Sequence, residues 1–180
     1  MIVSISTDEL LQRNARFAAG GAYSGLSFPT NETLQVVGCV DSRVDPGDVL
    51  GLALGEAVVM RNIGGRITPA ALRSWDLLHR LGPGPGDGQG QGQPPAGALV
   101  ILHHTECGIR RLAEYPDQLA DYFEIPVTDL DSKAVSDPYA AIRIDVGIAR
   151  QAFPPSFLVS GLVYNVNTGL VEMVVPSATE

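Results

Sequence analysis

Both cysteines of the chain lie in short polar clusters that close apolar runs: Cys39-Val40-Asp41-Ser42-Arg43 after one run, His104-Thr105-Glu106-Cys107 after another. Two thiolates and one imidazole are the ligand set of a tetrahedral zinc site whose fourth position stays open to water, the composition of a catalytic rather than a structural centre. The first cluster adds a carboxylate and a guanidinium two and four residues beyond its cysteine. An Asp beside a metal-bound hydroxide must stay ionised to accept its hydrogen bond, and a bidentate Arg holds such a carboxylate charged and oriented.

The same residues have plainer readings. A disulfide between Cys39 and Cys107 would use both sulfurs, but the N-terminal Met1-Ile2-Val3-Ser4 has no basic n-region of a secretory signal, and zinc is the better use of the pair. A closed structural site would need a fourth protein ligand, and within the clusters Asp41 is the residue placed to supply it. Asp41 and Arg43 could also be a solvated ion pair, which contributes little.

Cys-x-Asp-x-Arg followed by His-x-x-Cys resembles the signature of the β-class carbonic anhydrases. The likeness runs from about residue 34 to 175 and is concentrated in Cys39 to Arg43, Arg61 to Gly65 and His103 to Gly108. It implies one Zn2+ per chain on Cys39, His104 and Cys107, with Asp41 and Arg43 as catalytic dyad. Gly64 and Gly65 fall where the family lets backbone approach the substrate pocket. The implied reaction is hydration of carbon dioxide to bicarbonate by a zinc-bound hydroxide. The short chain and the His-His-Thr-x-Cys-Gly form of the second motif also resemble the compact branch in which carbonyl sulfide hydrolases occur, and the motifs do not separate the two substrates. In some members the equivalent Asp closes the metal site at rest. A non-catalytic zinc protein, with Asp41 closing the sphere permanently, is a reading from another class; Arg43 opposes it, because a guanidinium gripping Asp41 competes with coordination.

The elements that must position these residues read as alternating helices and strands. Ser6-x-x-Glu9 is a capping box that opens a helix over residues 7 to 19, with Leu10, Leu11, Ala15 and Ala18 on one face. Leu34 to Val40, Ala57 to Met60 and Ala98 to His103 read as buried strands, the second running into the turn Arg61-Asn62-Ile63-Gly64-Gly65. Thr68 and Pro69 start a helix whose apolar stripe is Leu72, Trp75, Leu78 and Leu81. Tyr115 to Phe123 reads as a short helix, and Ser136 or Asp137 with Pro138 starts a longer one to about Phe153. Phe157 to Asn165 and Leu170 to Val175, joined by Asn167-Thr168-Gly169, form a terminal hairpin with one arm continuing the sheet.

This order predicts an α/β fold: a central, mainly parallel sheet flanked by helices with a C-terminal antiparallel hairpin or edge strand. Ligand sites in such sheets lie beyond the carboxyl ends of the strands, where all three clusters fall. Side chains alternate along a strand, so His103 points away from His104 and packs or supports rather than ligates. His79, on the Trp75 helix, reads as a surface histidine rather than a proton shuttle.

Residues 82 to 97 are mostly Gly and Pro and read as a flexible insertion within a single domain of residues 1 to 180, since the clusters on either side must meet at one metal. A phosphate-cradling loop is the sharper reading of so many glycines, but the stretch lacks the Gly-Lys-Ser/Thr ending and does not open a helix. The net charge of −8, with Lys133 the single lysine, argues against nucleic acid or an anionic membrane as partner. No apolar run reaches the roughly 18 residues of a membrane span, and free thiols point to the cytoplasm. A small-molecule substrate and a homodimer or assembly of dimers are the expected partners, with the helix over 7 to 19 lying across the second copy. Two-fold symmetry is the commonest arrangement for such assemblies.

Overall fold

The computed structural model describes residues 5–26, 34–80 and 97–177. Five strands form one sheet: β1 (Leu34–Cys39), β2 (Val58–Asn62), β3 (Gly97–His104), β4 (Phe157–Tyr164) and β5 (Val171–Val175). Their order is β2-β1-β3-β4-β5, with β5 antiparallel to β4 and the other pairs parallel. The central strands are apolar runs because helices and loops cover them. The register sets Gly38 beside both Arg61 and Leu102, so β1 and β3 end at nearly the same level.

Among the described residues five α-helices accompany the sheet: α1 (Thr7–Ala19), α2 (Pro46–Leu50), α3 (Pro69–Arg80), α4 (Pro116–Phe123) and α5 (Pro138–Ala152). The starts follow ordinary capping chemistry. Thr68 Oγ1 accepts from Ala71 N at 3.2 Å, and Asp137 Oδ1 accepts from Tyr139 N and Ala140 N at 2.9 and 3.1 Å, ahead of Pro69 and Pro138 respectively. Asp137, not Ser136, is the cap of α5.

The core lies where α3 and α5 cover one face of the sheet. Ala71 and Trp75 from α3, with Ile142, Val146 and Ala149 from α5, pack on Leu99, Ile101, Val159 and Val163. Gly161 leaves α5 its room, because a Cβ there would come within 2.7 Å of Ile142 and 2.8 Å of Val146 side-chain atoms. Trp75 meets Phe153 edge to face at 5.6 Å between ring centroids. His79 is exposed as expected, although its ring rests on Phe153 and Phe157 and its Nε2 lies 3.3 Å from Gln35 Nε2.

Several local expectations are corrected. β2 continues two residues past Met60, so Arg61 and Asn62 are strand and not turn; the ladder to β1 persists as Gly38↔Arg61 and Cys39↔Asn62. α2 had no counterpart in the periodicity, being too short to show one; Asp45 accepting from Gly47 N, Pro46 at the first position and a left-handed Gly51 at the end define it. In α1, Ser6 Oγ accepts from Glu9 N at 3.2 Å, but the Glu9 carboxylate pairs with Arg13 instead of closing the capping box. No residue of α1 is buried within the chain. The insertion read over 82–97 lies outside the described residues except for Gly97, which opens β3. No helix among the described residues is long and apolar enough to cross a membrane.

Trp75 is 2% exposed and occupies the middle of the α3 contact. Trp75→Ala is expected to lower the unfolding free energy by about 3–5 kcal/mol, read by urea titration followed by far-UV circular dichroism. A loss below about 1 kcal/mol would mean that the α3 contact is not where the core resides.

Candidate metal centre

Adjacent parallel strands deliver the first two groups of the site. Cys39 is the last residue of β1 and His104 the last of β3, and both are buried. Cys107 returns to them through a tight turn in which Glu106 takes a left-handed φ of 56°. That unfavourable conformation is held from three sides. Thr105 N donates to Tyr164 O at 2.9 Å, Asn167 Nδ2 to Glu106 Oε1 at 3.0 Å, and Val166 N to Thr105 Oγ1 at 3.1 Å.

One donor atom from each of Cys39, His104 and Cys107 lies within 4.8 Å of the other two. The two sulfurs are 3.7 Å apart and both thiols are free, so the disulfide reading is not what the structure contains. His104 Nδ1 lies 2.8 Å from Thr105 O, a carbonyl that can only accept, which puts the ring proton on Nδ1. Nε2 is then a bare lone pair. It is buried without a hydrogen-bond partner, a costly arrangement unless something electrophilic fills the place. The residues present therefore fit a metal ion.

The thiols are set up for the same purpose. Cys39 Sγ accepts from Asp41 N at 3.4 Å and from Gly64 N at 3.3 Å. The hydrogen bond from the Cys107 thiol, working against burial and joined by those two backbone donors, brings the Cys39 pKa down to about 4. Cys107 is pushed up, first by the same hydrogen bond and then by burial. Without metal the pair thus holds one thiolate and one proton, and metal binding must release that proton.

Gly64 and Gly65, expected near a substrate pocket, have φ values of 79° and 65°. A Cβ on Gly65 would stand 3.0 Å from Cys39 N, Gly38 C and Leu102 O, all backbone atoms of the two ligand-bearing strands. Glycine is what lets the 63–65 turn lie against both strands and bring the Gly64 N–H to the Cys39 sulfur.

Asp41 and Arg43 meet as a fork. Arg43 Nε donates to Oδ1 at 3.0 Å and Nη2 to Oδ2 at 2.7 Å, and the Arg43 backbone N–H adds a third bond to Oδ1 at 3.0 Å. Asp41 Oδ2 lies 4.0 Å from His104 Nε2, at the edge of the three-residue group. The Arg43 hydrogen bond, outweighing partial burial and aided by its backbone N–H and charge, holds the Asp41 carboxyl well below the usual carboxylate range. His103 points to the other face of the sheet, its Nε2 3.2 Å from Asp145 Oδ2 and its Nδ1 3.4 Å from Pro138 O. Beside the site a cavity of about 30 Å³, bordered by Gly64, His104, Cys107 and Ile109, has room for molecules of water size.

Motif spacing assigns no role to Arg61, yet it clasps the turn that carries the dyad. Its Nε donates to Cys39 O at 2.9 Å, Nη2 to Asp41 O at 2.7 Å and Nη1 to Asp45 Oδ2 at 2.6 Å. The available signal was its place at the end of a parallel edge strand, beside the neighbouring cysteine.

Residues 34–80 match the sequence model of a family described as carbonic anhydrase. Beta-carbonic anhydrase 1 of Mycobacterium tuberculosis is 33% identical over 104 residues, 57% of this chain and 55% of that protein, so the chain spans about half the length of this curated relative. Carbon disulfide hydrolase of Acidithiobacillus thiooxidans is 26% identical over 169 residues, 80% of this chain and 78% of the relative. A crystal structure of carbonic anhydrase from Streptococcus mutans superposes with a TM-score of 0.69 at 28% identity, covering 96% of this chain and 99% of that one.

The depressed Asp41 carboxyl gives a signed expectation. Its folded pKa lies below the unfolded value, so the stability it adds is complete above about pH 4 and is lost as pH falls through the folded value. The stability difference between the parent and Asp41→Asn should therefore be flat from pH 5 to 8 and shrink below about pH 4, measured as unfolding midpoints of metal-free protein. A difference that grows on acidification would contradict the ionised Asp41–Arg43 pair.

Proposed function

Because this chain belongs to the β-carbonic anhydrase family, we propose that it holds one Zn2+ on Cys39, His104 and Cys107 and hydrates carbon dioxide to bicarbonate. The observation that carries the proposal is the unpartnered His104 Nε2 beside two close sulfurs, with an ionised carboxylate fixed at their edge. Zinc bound there supplies a Lewis acid that makes water available as a nucleophile near neutral pH.

The chain's own groups do the rest. Both Asp41 oxygens are taken up by Arg43, so Asp41 is an acceptor held in one orientation. It accepts the O–H of the activated water and turns the remaining lone pair toward the substrate carbon. Arg43 keeps Asp41 ionised, and Arg61, bonded to the carbonyls of residues 39 and 41, fixes the backbone that carries it. Carbon dioxide and water give bicarbonate and one proton, which leaves to buffer. Gly64 borders the cavity and bonds Cys39 Sγ, and Gly65 holds that turn against the ends of both ligand-bearing strands. Arg43's hold on both Asp41 oxygens also weighs against a non-catalytic protein in which Asp41 closes the coordination sphere.

A second reading, carbonyl sulfide hydrolysis to sulfide and carbon dioxide, is favoured by the relative named carbon disulfide hydrolase, which aligns over 80% of this chain. The same nucleophile meets the same kind of linear, electron-poor carbon. The reaction differs in the leaving atom, so the two are separated by the pocket walls rather than by the ligands. We further propose that residues 1–180 act as one zinc domain, with 82–97 an insertion, in the cytoplasm. The working unit is a homodimer or an assembly of dimers. Among the described residues α1 exposes Leu10, Leu11 and Phe17 and has no buried residue, while Val40 and Ile63, just past the ends of β1 and β2, are also exposed.

Supplying carbon dioxide, carbonyl sulfide and carbon disulfide to one zinc-loaded preparation should give the highest kcat/KM for carbon dioxide. Asp41→Asn should keep its zinc and lose about 10- to 100-fold in kcat. A higher kcat/KM for a sulfur substrate would replace the anhydrase reading with the hydrolase one, and full turnover in Asp41→Asn would remove the orienting role.

Light scattering at micromolar concentration should find a species larger than the 19.0 kDa chain. Deleting residues 1–20 should lower association and activity together. A fully active monomer would refute the assembly.

A further inference from the structure

Asp145 sits in the middle of α5 with no solvent exposure, and two other segments of the chain, residues 66–67 and the end of β3, converge on its carboxylate. Arg66 donates from Nε at 2.7 Å and from Nη2 at 3.3 Å, Ile67 N donates at 3.2 Å, and His103 Nε2 lies 3.2 Å from Oδ2. Arg66 Nη2 also bonds Lys133 O at 2.8 Å, and its guanidinium lies 4.9 Å over the Phe123 ring. Burial alone would push the carboxyl up, but His103 and Arg66 outweigh it and hold Asp145 ionised.

A buried ion pair is a poor explanation of stability, because well-packed apolar residues of equal volume commonly do as well. What this pair supplies is position. Residues 62–66 form a loop closed on itself, with Asn62 Nδ2 donating to Arg66 O at 2.7 Å and Arg66 N to Asn62 Oδ1 at 2.8 Å. Within that loop Gly64 N reaches Cys39 Sγ, and Gly65 lies against Cys39 N. Asp145 fastens the base of the loop through Arg66 and Ile67. Through His103 it also fastens the strand whose next residue is His104.

We infer that Asp145, acting through Arg66 and His103, is a positioning residue that sets the Gly64 N–H on the Cys39 sulfur and the end of β3 for binding of the metal. The inference rests on the reading of Cys39, His104 and Cys107 as a zinc site.

The test measures Zn2+ affinity by competition with a chromophoric chelator, and the thiolate-to-metal absorption band after loading with Co2+. The proteins are the parent, Asp145→Asn, Arg66→Lys, Phe153→Leu and Cys39→Ser. Asp145→Asn should bind Zn2+ about 10- to 100-fold more weakly and shift the cobalt band. Arg66→Lys, which keeps the charge and loses the fork, should weaken binding in the same direction by less. Phe153→Leu, a core change that touches none of these groups, should lower the unfolding midpoint and leave affinity and band unchanged. If Asp145→Asn does not fold, Arg66→Lys decides. Parental affinity in either folded variant overturns the inference, as does an equal loss in Phe153→Leu. A parent that binds no zinc, or a Cys39→Ser that binds it fully, brings down the metal site itself and this inference with it.

Discussion

Adjacent parallel strands with little stagger end at the same height, and that constraint is what lets residues 39 and 104 share a site. β1 and β3 pair from Leu34↔Ala98 to Gly38↔Leu102, so the chain leaves both strands side by side with a polar group at each exit. Everything else at the site adjusts to that pair of exits. Cys107 must turn back within three residues, which forces Glu106 into a left-handed conformation. The 63–65 turn must lie flat on both strands, which only glycine permits at residue 65, where any Cβ would press on three backbone atoms.

The residues of the candidate site at the strand ends were legible because their signals are local. Cys39, Asp41 and Arg43 lie within five positions, His104 and Cys107 within four, and an apolar run before each group announced a buried strand. The mainly parallel sheet and the antiparallel last strand followed from element order and from the turn at Asn167-Thr168-Gly169, whereas the order β2-β1-β3-β4-β5 came only with the structure. Contacts between distant positions were not legible. Asp145 is 79 residues from Arg66, and an Asp inside a helix reads as a solvent-facing residue unless something says that its face is buried. Arg61 escaped for a different reason. Two of its three bonds go to backbone carbonyls, which every residue carries, and the third goes to Asp45, an aspartate that caps the start of α2.

α1 is the element whose sequence and surroundings disagree most. Its apolar face was plain from Leu10 and Leu11, and in the single chain these residues are 52% and 63% exposed. Helices of this length gain most of their stability from packing an apolar face rather than from intrinsic propensity. An amphipathic helix with nothing among the described residues burying its apolar face is therefore incomplete, the physical ground for proposing that a second copy covers it.

Two Asp–Arg pairs serve this protein in opposite environments, and the contrast explains how one fold combines a fixed frame with a working group. Asp41 and Arg43 are close in sequence and 19% and 50% exposed, so solvent screens their attraction, and three hydrogen bonds from Arg43 rather than burial hold the carboxylate in place. Asp145 and Arg66 come from distant segments and are each 1% exposed, where separating the charges is prohibitive. The first situation suits the role proposed for Asp41, beside a substrate that must enter and a product that must leave. A group that only keeps a loop against a strand gains from the second. The arrangement follows: the exposed pair stands at the mouth of the site, and the buried pair stands behind it, under the strand that carries the histidine.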